Sequence, residues 1–269
     1  MKQKMDQLKN IFSSMDKVLA AYSGGVDSTF LVKTAQDVLG DKVTAVIVIS
    51  PTLPKRELIE ARESALKLGI QLFEMESQEM TLPDFLENTP QKCYFCKDHR
   101  FILLRNYAAE NNFPQIMDGS NADDLSDHRP GQQAAREQGV RSPLQEAGLS
   151  KKEIRELARK MGLPNWDKPS SACLASRIPY GMKITTTLLK EIEEAEDFLF
   201  RLGFRQLRVR HHGKLARIEV PPEVFEKVMG NRSEIIKAFE AIGFSYTALD
   251  LKGFRSGSMN EVINSYGSK

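Results

Sequence analysis

The chain reads as a parallel, doubly wound α/β sheet followed by a smaller α+β domain. Through roughly the first 165 residues, β-rich apolar runs alternate with segments of helical spacing, the pattern of repeated βα units. Glycines stand where strand gives way to helix, as at Gly24-Gly25 and Gly119. Beyond residue 182 the alternation changes to an α-β-β-α-β order, and a second unit is expected there. The linker is placed near Ile178-Pro179-Tyr180-Gly181, giving domains over 1–182 and 183–269.

Taken in order, Met1 to Lys17 is a lysine-containing amphipathic stretch without a small-residue cleavage site, so no signal peptide is expected. Val18–Tyr22 is an apolar strand, and Thr29–Ala35 beyond the glycines has helical spacing. Val43–Ile49 is a continuous β-rich run, as in a strand buried on both faces. Pro54 to Gly69 reads as a helix, with proline near its start and glycine at its end. Gln71–Glu76 is a third strand. A helix is expected from Thr89-Pro90 towards Asn111, with Thr89 as its cap. Gln115–Asp118 is a short strand, and Val140–Leu144 a fifth. In the second unit, Thr185–Leu202 is a helix closed by Gly203. Gln206–Arg210 and Leu215–Val220 form a hairpin about His212-Gly213, Pro222–Ile242 is helical, and Ser245–Leu251 is a closing strand.

The 269 residues suffice for one large domain or two modest ones, and 41% hydrophobic with 28% charged residues is ordinary for a soluble protein. A net charge of +2 makes no global case for nucleic acid. No run approaches the ~18 apolar residues of a membrane span. The cytoplasm is the expected compartment. Three cysteines, an odd number, speak for chemistry or a metal rather than a disulfide scaffold.

Ser23-Gly24-Gly25-Val26-Asp27-Ser28 is the most informative stretch. A strand that breaks at glycines into a helix presents unpaired N–H groups at the positive end of the helix dipole, an anion cradle. Gly24 and Gly25 allow close backbone approach, and Ser23 and Ser28 add hydroxyls. Ligands of doubly wound sheets bind beyond the carboxyl ends of strands, so Ser23–Ser28 and Asp118–Asp124 are expected to line one crevice. The string is not a Walker loop, because no Gly-Lys-Ser/Thr follows. It resembles the PP-loop of ATP pyrophosphatases, the adenine nucleotide alpha hydrolase-like group, which implies cleavage of ATP to AMP and pyrophosphate while a substrate is adenylated.

Cys93 and Cys96 are spaced to share one face of a helix's first turns, where the dipole favours thiolates. Cys173 is distant in sequence. The residues leave several readings open: a [4Fe-4S] cluster with one iron lacking a protein ligand, a redox sulfur relay, a zinc site completed by His99, or small core residues.

Further motifs are Asp118-Gly119-Ser120-Asn121-Ala122-Asp123-Asp124 with His128-Arg129-Pro130-Gly131, and Asn165-Trp166 followed by Ser176–Gly181. Arg208-Val209-Arg210 and Gly253-Phe254-Arg255-Ser256-Gly257 complete the set. Together with Ser23–Ser28 they resemble the LarE-type sulfur transferases of nickel-pincer nucleotide cofactor synthesis, over nearly the whole chain. That resemblance implies adenylation of a pyridinium dicarboxylate mononucleotide, displacement of AMP by sulfur from sulfide or a sulfur donor, and a repeat on the second carboxylate. One branch of the family sacrifices a single cysteine, whose position corresponds here to Ala172. The other holds a [4Fe-4S] cluster on three cysteines, which Cys93, Cys96 and Cys173 match.

The expected roles follow. Ser23, Gly24, Gly25, Asp27, Ser28, Gly119 and Asp124 bind ATP, and Asp123 with Asp124 holds Mg²⁺; an acidic surface turn is the alternative. Asp27 could otherwise only cap the helix entered at Ser28. Lys97 is placed beside Cys96 to face the acyl phosphate, or is simply exposed. Arg177 shares a short loop with Cys173. Arg208 and Arg210 alternate along one strand side and, with Arg255, suit bidentate phosphate binding, against a solvated basic face. The resemblance puts that phosphate at a subunit interface of a homo-oligomer, a hexamer in this family, and singles out Glu196, otherwise a helix-surface glutamate. Competing readings are a PP-loop tRNA thiolase, an ammonia-dependent amidating synthetase and a nucleotide-binding sensor without turnover.

Overall fold

Val18–Ala21 (β1), Val43–Ile49 (β2), Leu72–Glu76 (β3) and Gln115–Met117 (β4) pair in parallel in the order β3-β2-β1-β4. The computed structural model describes residues 1–126, 130–255 and 257–260. It divides into two units, Met1–Phe85 with Gln91–Ser171, and Leu86–Pro90 with Ala172–Lys269. The division thus falls at Ser171–Ala172, before the linker expected at 178–181, and assigns Cys173 and Arg177 to the second unit.

In the first unit, successive side chains of β1 and β2 point to opposite faces, and both faces are covered. Val18, Ala20, Ala45 and Ile47 pack with Leu8 and Phe12 of α1 (Lys2–Ser13) and Phe30 and Leu31 of α2 (Val26–Leu39). On the other face, Leu19 and Val46 meet Phe101, Leu104 and Ala108 of a long helix, Lys92–Glu110. This two-sided burial explains the unbroken apolar run of β2. Helix α3 (Lys55–Lys67) joins β2 to β3, a single-turn α4 spans Pro83–Leu86, and Lys92–Glu110 is α5. After β4 come α6 (Pro130–Glu137), α7 (Pro143–Glu146) and α8 (Lys151–Lys160). A reciprocal Ser150–Glu153 capping box starts α8.

Two expectations are corrected here. The fifth strand at Val140–Leu144 does not form. Only Arg141 reaches the sheet, in an isolated bridge to Met117, because Pro143 lacks an N–H for a ladder and instead opens α7. Helix α5 starts at Lys92 behind Gln91, without a side-chain cap from Thr89. The cause lies one residue earlier. Asn88 is fully buried with φ 53°, and its Nδ2 donates to the carbonyls of Ile178 (3.3 Å), Pro179 (2.8 Å) and Met182 (2.9 Å). Those bonds tie 86–90 into the second unit and out of the helix.

The second unit has α9 (Thr186–Arg201), capped by the Thr185 hydroxyl and closed at Gly203 with φ +83°. Arg208–His212 (β5) and Leu215–Glu219 (β6) are antiparallel, and Tyr246–Leu249 (β7) joins β6 in parallel. The stretch expected as one helix over Pro222–Ile242 breaks at Asn231 into α10 (Phe225–Gly230) and α11 (Arg232–Ile242). Leu199, Phe204, Val209, Ile218, Ile235 and Phe239 form its core. No helix among the described residues is long and apolar enough to cross a membrane.

Candidate active site

The order β3-β2-β1-β4 reverses direction at β1, so the switch point of the sheet lies between the carboxyl ends of β1 and β4. Residues 23–28 leave β1 at that point and 118–124 leave β4. The two segments touch: a Cβ on Gly119 would come within 3.0 Å of the Ser28 nitrogen, and Asn121 Nδ2 donates to Asp27 at 3.3 Å. The two segments expected to line one crevice therefore meet within the first unit.

Helix α2 begins at Val26 behind Gly25, and no side chain among the described residues caps it. Asp27 thus stands in the first turn and is not the cap. Gly24 has φ +69°, and a Cβ there would lie 2.5 Å from Ala61 Cβ and 2.9 Å from Ala61 Cα in α3, so no other residue fits. The Ser28 hydroxyl donates to the Gly25 carbonyl at 3.1 Å and sits 3.1 Å from the exposed Ser23 hydroxyl. Buried Asn165, flagged in the sequence without a role, pins the loop: its Nδ2 donates to the Gly24 carbonyl at 2.9 Å and the Thr29 hydroxyl at 2.8 Å. The result is a pinned turn whose first helical N–H groups have no side-chain acceptor among the described residues, suited to a phosphate.

Asp27 Oδ2 accepts from Asn121 and from the Lys151 ammonium, while Oδ1 is buried without a partner among the described residues. Burial raises the Asp27 carboxyl above the ordinary aspartate range, against the pull of Lys151 and Asn121. Lys151 was not legible as a site residue, since nothing in its local sequence separates it from any lysine at a helix start. Asp123 Oδ2 accepts the Lys151 N–H at 2.9 Å, and Asp124 Oδ2 accepts the Asn121 N–H at 2.9 Å. Both acids therefore also organise the turn, which joins the alternative reading to the functional one.

Cys93 and Cys96 lie in the first turns of α5, and Cys173 precedes the 3₁₀ turn Leu174–Arg177 in the second unit; none forms a disulfide. Among the described residues, no three His, Cys, Asp or Glu side chains are gathered as a metal site. Lys97 lies along Gly131 of α6, where a Cβ would come 2.6 Å from its Cδ. Four residues beyond Cys96, Arg100 anchors α5 to the carboxyl ends of β2 and β3. It donates to Glu79 through Nη2 (2.7 Å) and Nε (2.8 Å), and Glu79 also accepts from Ser50, Thr52 and Ser77 at 2.7 Å each. Burial pushes the Glu79 carboxyl up, but Arg100 and the hydroxyls outweigh it and hold it at about 2. No pattern of spacing announced this network.

In the second unit, two residues singled out separately in the sequence prove to be partners. Arg177 is 1% exposed and pairs with Glu196 through both Nε and Nη2 at 2.9 Å. Its Nη1 donates to the carbonyls of Ala172 (2.5 Å) and Cys173 (2.8 Å), which fixes the backbone that carries Cys173. Glu196 is buried rather than on the helix surface. Burial opposes its charge, yet Arg177 keeps it below the usual glutamate range. Arg210 is also buried, donating to Glu219 at 2.8 and 3.0 Å, to the Ser176 carbonyl and to Ser258, so it is not part of a solvated face. Arg208 lies over the Phe254 ring, and Arg255 meets Asp250 at 3.3 Å. Of the motif residues, His128, Arg129 and Ser256 lie outside the described residues.

No family model matches the chain. It is 43% identical to an uncharacterized protein of Synechocystis, over 98% of its own length and 99% of the relative's. It is 38% identical, over 93% and 91% of the two lengths, to the pyridinium-3,5-bisthiocarboxylic acid mononucleotide synthase of Lactiplantibacillus plantarum. An uncharacterized protein of Methanocaldococcus jannaschii is 31% identical over 93% of the chain and 95% of the relative. A weaker match, to the tRNA-specific 2-thiouridylase of Tropheryma whipplei, is 30% identical and covers 58% of the chain and 53% of the relative.

Proposed function

The chain belongs to the LarE-type family of pyridinium-3,5-bisthiocarboxylic acid mononucleotide synthases, and on that premise we propose that it is an ATP-dependent sulfur transferase. It adenylates the carboxylates of the pyridinium dicarboxylate mononucleotide and converts them to thiocarboxylates for nickel-pincer cofactor synthesis. The observation that carries the reading is the 23–28 loop: a helix start without a side-chain cap at the switch point of the sheet, with Asp27 at its rim. A tRNA thiolase shares this ATP-binding half, but that match stops at 58% of the chain, whereas the synthase match reaches 93%.

A carboxylate resists nucleophiles because it is charged and would have to expel oxide. Attack of its oxygen on the α-phosphorus of ATP expels pyrophosphate and leaves an acyl adenylate; sulfide then adds to the acyl carbon and AMP departs. The loop N–H groups hold the phosphates in line for the first step, and the hydroxyls of Ser23 and Ser28 flank them. Mg²⁺ suits this place, since Asp27 Oδ1 is buried with no hydrogen-bond partner among the described residues and Asp123 and Asp124 stand at the adjacent strand end. The ion would neutralise charge on the departing pyrophosphate. Lys97 would face the acyl phosphate from α5. Cys93, Cys96 and Cys173 are the thiols that would hold a [4Fe-4S] cluster, and its chemistry when bound is to carry sulfur.

For the substrate phosphate, Arg208 and Arg255 are the better placed of the three arginines, because Arg210 is committed to buried Glu219. A homo-oligomer, a hexamer as in the family, and a cytoplasmic setting complete the proposal.

The mononucleotide should trigger pyrophosphate release from ATP, with thiocarboxylate product found by mass spectrometry when sulfide is supplied. Protein prepared anaerobically with iron should be brown, absorbing near about 400 nm. Fully active, colourless, iron-free protein would remove the cluster; no pyrophosphate release with the mononucleotide would remove the function.

A further inference from the structure

The last turns of α5, the start of β4 and the chain leaving α6 surround a cavity of about 360 Å³ that the reaction above does not use. It lies at the amino end of β4, where Gln115 pairs with Val18, whereas the 118–124 segment leaves the carboxyl end. Its size falls in the lower part of the range of small-molecule sites. Buried Ala108, Phe113 and Ile116 supply an apolar wall. Two polar groups on the lining lack the partner their chemistry calls for. Gln115 Oε1 is buried, and no described residue donates to it. Arg105 donates from Nη1 to Gln138 Oε1 at 2.7 Å but meets no carboxylate among the described residues. Gln138 in turn donates to Asp98 at 2.6 Å, which holds the guanidinium at the cavity. Arg141, also on the lining, is already matched by Glu146.

We propose that this cavity is a second ligand site, separate from the 23–28 loop, for a small organic acid. The acid's carboxylate meets Arg105, a hydroxyl or N–H donor meets Gln115, and an apolar face lies on Ala108, Phe113 and Ile116. Each part answers one observation. The planar guanidinium takes a carboxylate through paired hydrogen bonds, and a single unmatched cation balances a single negative charge. A phosphate dianion would bring a second charge with no cation left to meet it, because Arg141 is committed to Glu146. A donor on the ligand completes the buried Gln115 oxygen, which otherwise costs stability.

Nuclear magnetic resonance of the ¹⁵N-labelled full chain tests this with 3- and 4-hydroxybenzoate, benzoate, phenol and inorganic phosphate as probes. A hydroxybenzoate should shift the amides of Phe113, Gln115 and Gly139 saturably. It should bind at least about tenfold tighter than phenol, the worth of a charge-assisted contact, and a few-fold tighter than benzoate, about one neutral hydrogen bond. Arg105→Met should weaken it to the level of phenol, Arg105→Lys should recover part of the loss, and Ala109→Trp, which fills the cavity from its lining, should abolish the shifts. No saturable shift at these amides with either hydroxybenzoate overturns the site. So does binding that Arg105→Met leaves unchanged, phosphate binding there as tightly, or shifts centred on 23–28 instead. Arg105 and Ala109 are exposed on α5, so folding should survive; should a variant fail to fold, the order of the five probes on wild type decides. None of these outcomes depends on the ATP reading.

Discussion

Among the described residues of the first unit, the 23–28 loop offers helix N–H groups that no side chain caps, and one oxygen of Asp27 is buried without a partner. In the second unit, the arginines singled out in the sequence already meet acceptors: Arg177 with Glu196, Arg210 with Glu219, Arg255 with Asp250. A buried polar group left unmatched costs stability and persists where a ligand completes it. A matched buried pair contributes rigidity, and removing one member exposes the full cost of the other. The same residue types thus do different work. Arg210, which suggested a phosphate contact by spacing, and Arg177, marked because it shares a loop with Cys173, turn out to organise the backbone around Ser176 and Cys173.

The largest effect should come from breaking a matched pair. Arg177→Met leaves Glu196 charged, buried and alone, which should lower folding stability by about 3–5 kcal/mol. Adding Glu196→Gln removes the stranded charge while keeping an acceptor for the Val209 N–H, now 3.0 Å from Oε1, so part of the loss should return. Urea denaturation of the two singles and the double measures this. A single Arg177→Met cost under about 1 kcal/mol, the scale of a surface pair, would break the contrast between the units.

A smaller loss is expected at Glu79, a matched carboxylate on the same sheet edge as the open loop. Its folded-state value of about 2 lies below the ordinary glutamate value of 4.5, so it stabilises the fold above the unfolded glutamate range. That contribution is lost as the pH falls through about 2. Glu79→Gln should therefore cost on the order of 3 kcal/mol at neutral pH, with the gap to wild type closing between about pH 4.5 and 2. A pH-independent gap would assign the loss to packing. Because Arg100 ties Glu79 to α5, the variant should also loosen the helix that carries Cys93 and Cys96, measurable as faster amide exchange there.

The strands β1, β2 and β3, the 23–28 turn and its meeting with 118–124 were legible because each rests on local pattern: apolar runs, paired glycines, an acidic turn after a strand. The fifth strand and the Thr89 cap failed for the opposite reason. Pro143 and Asn88 answer to neighbours that only the fold supplies, the helix α7 that follows and the carbonyls of 178–182. Lys151, Asn165 and Glu79 act through contacts that span the chain, Lys151 to Asp27 and Asn165 to Gly24, and sequence spacing carries no record of these. Arg177 and Glu196 were each marked, but their pairing was invisible, so a surface glutamate became a buried clamp.

The smallest shift in stability, and the one of opposite sign, is expected at Asp27. Burial raises its carboxyl above the ordinary range despite Lys151, so the folded state holds the proton more tightly than the unfolded chain. The sign follows from linkage. A raised acid contributes stability while protonated, and that contribution is lost as the pH rises through its folded value, leaving a cost at neutral pH. Asp27→Asn removes the cost and keeps the shape, so the melting temperature at pH 7 should rise slightly. The gain should shrink as the pH falls into the range where Asp27 itself takes up a proton. The same change removes the Asp27 anion from the rim of the loop and should slow pyrophosphate release by at least about a hundredfold. Stabilisation together with lost turnover would mark Asp27 as a group kept for chemistry at the expense of the fold. A variant that is less stable at neutral pH would instead mean that the Lys151 pair outweighs burial, and that the loop is matched after all.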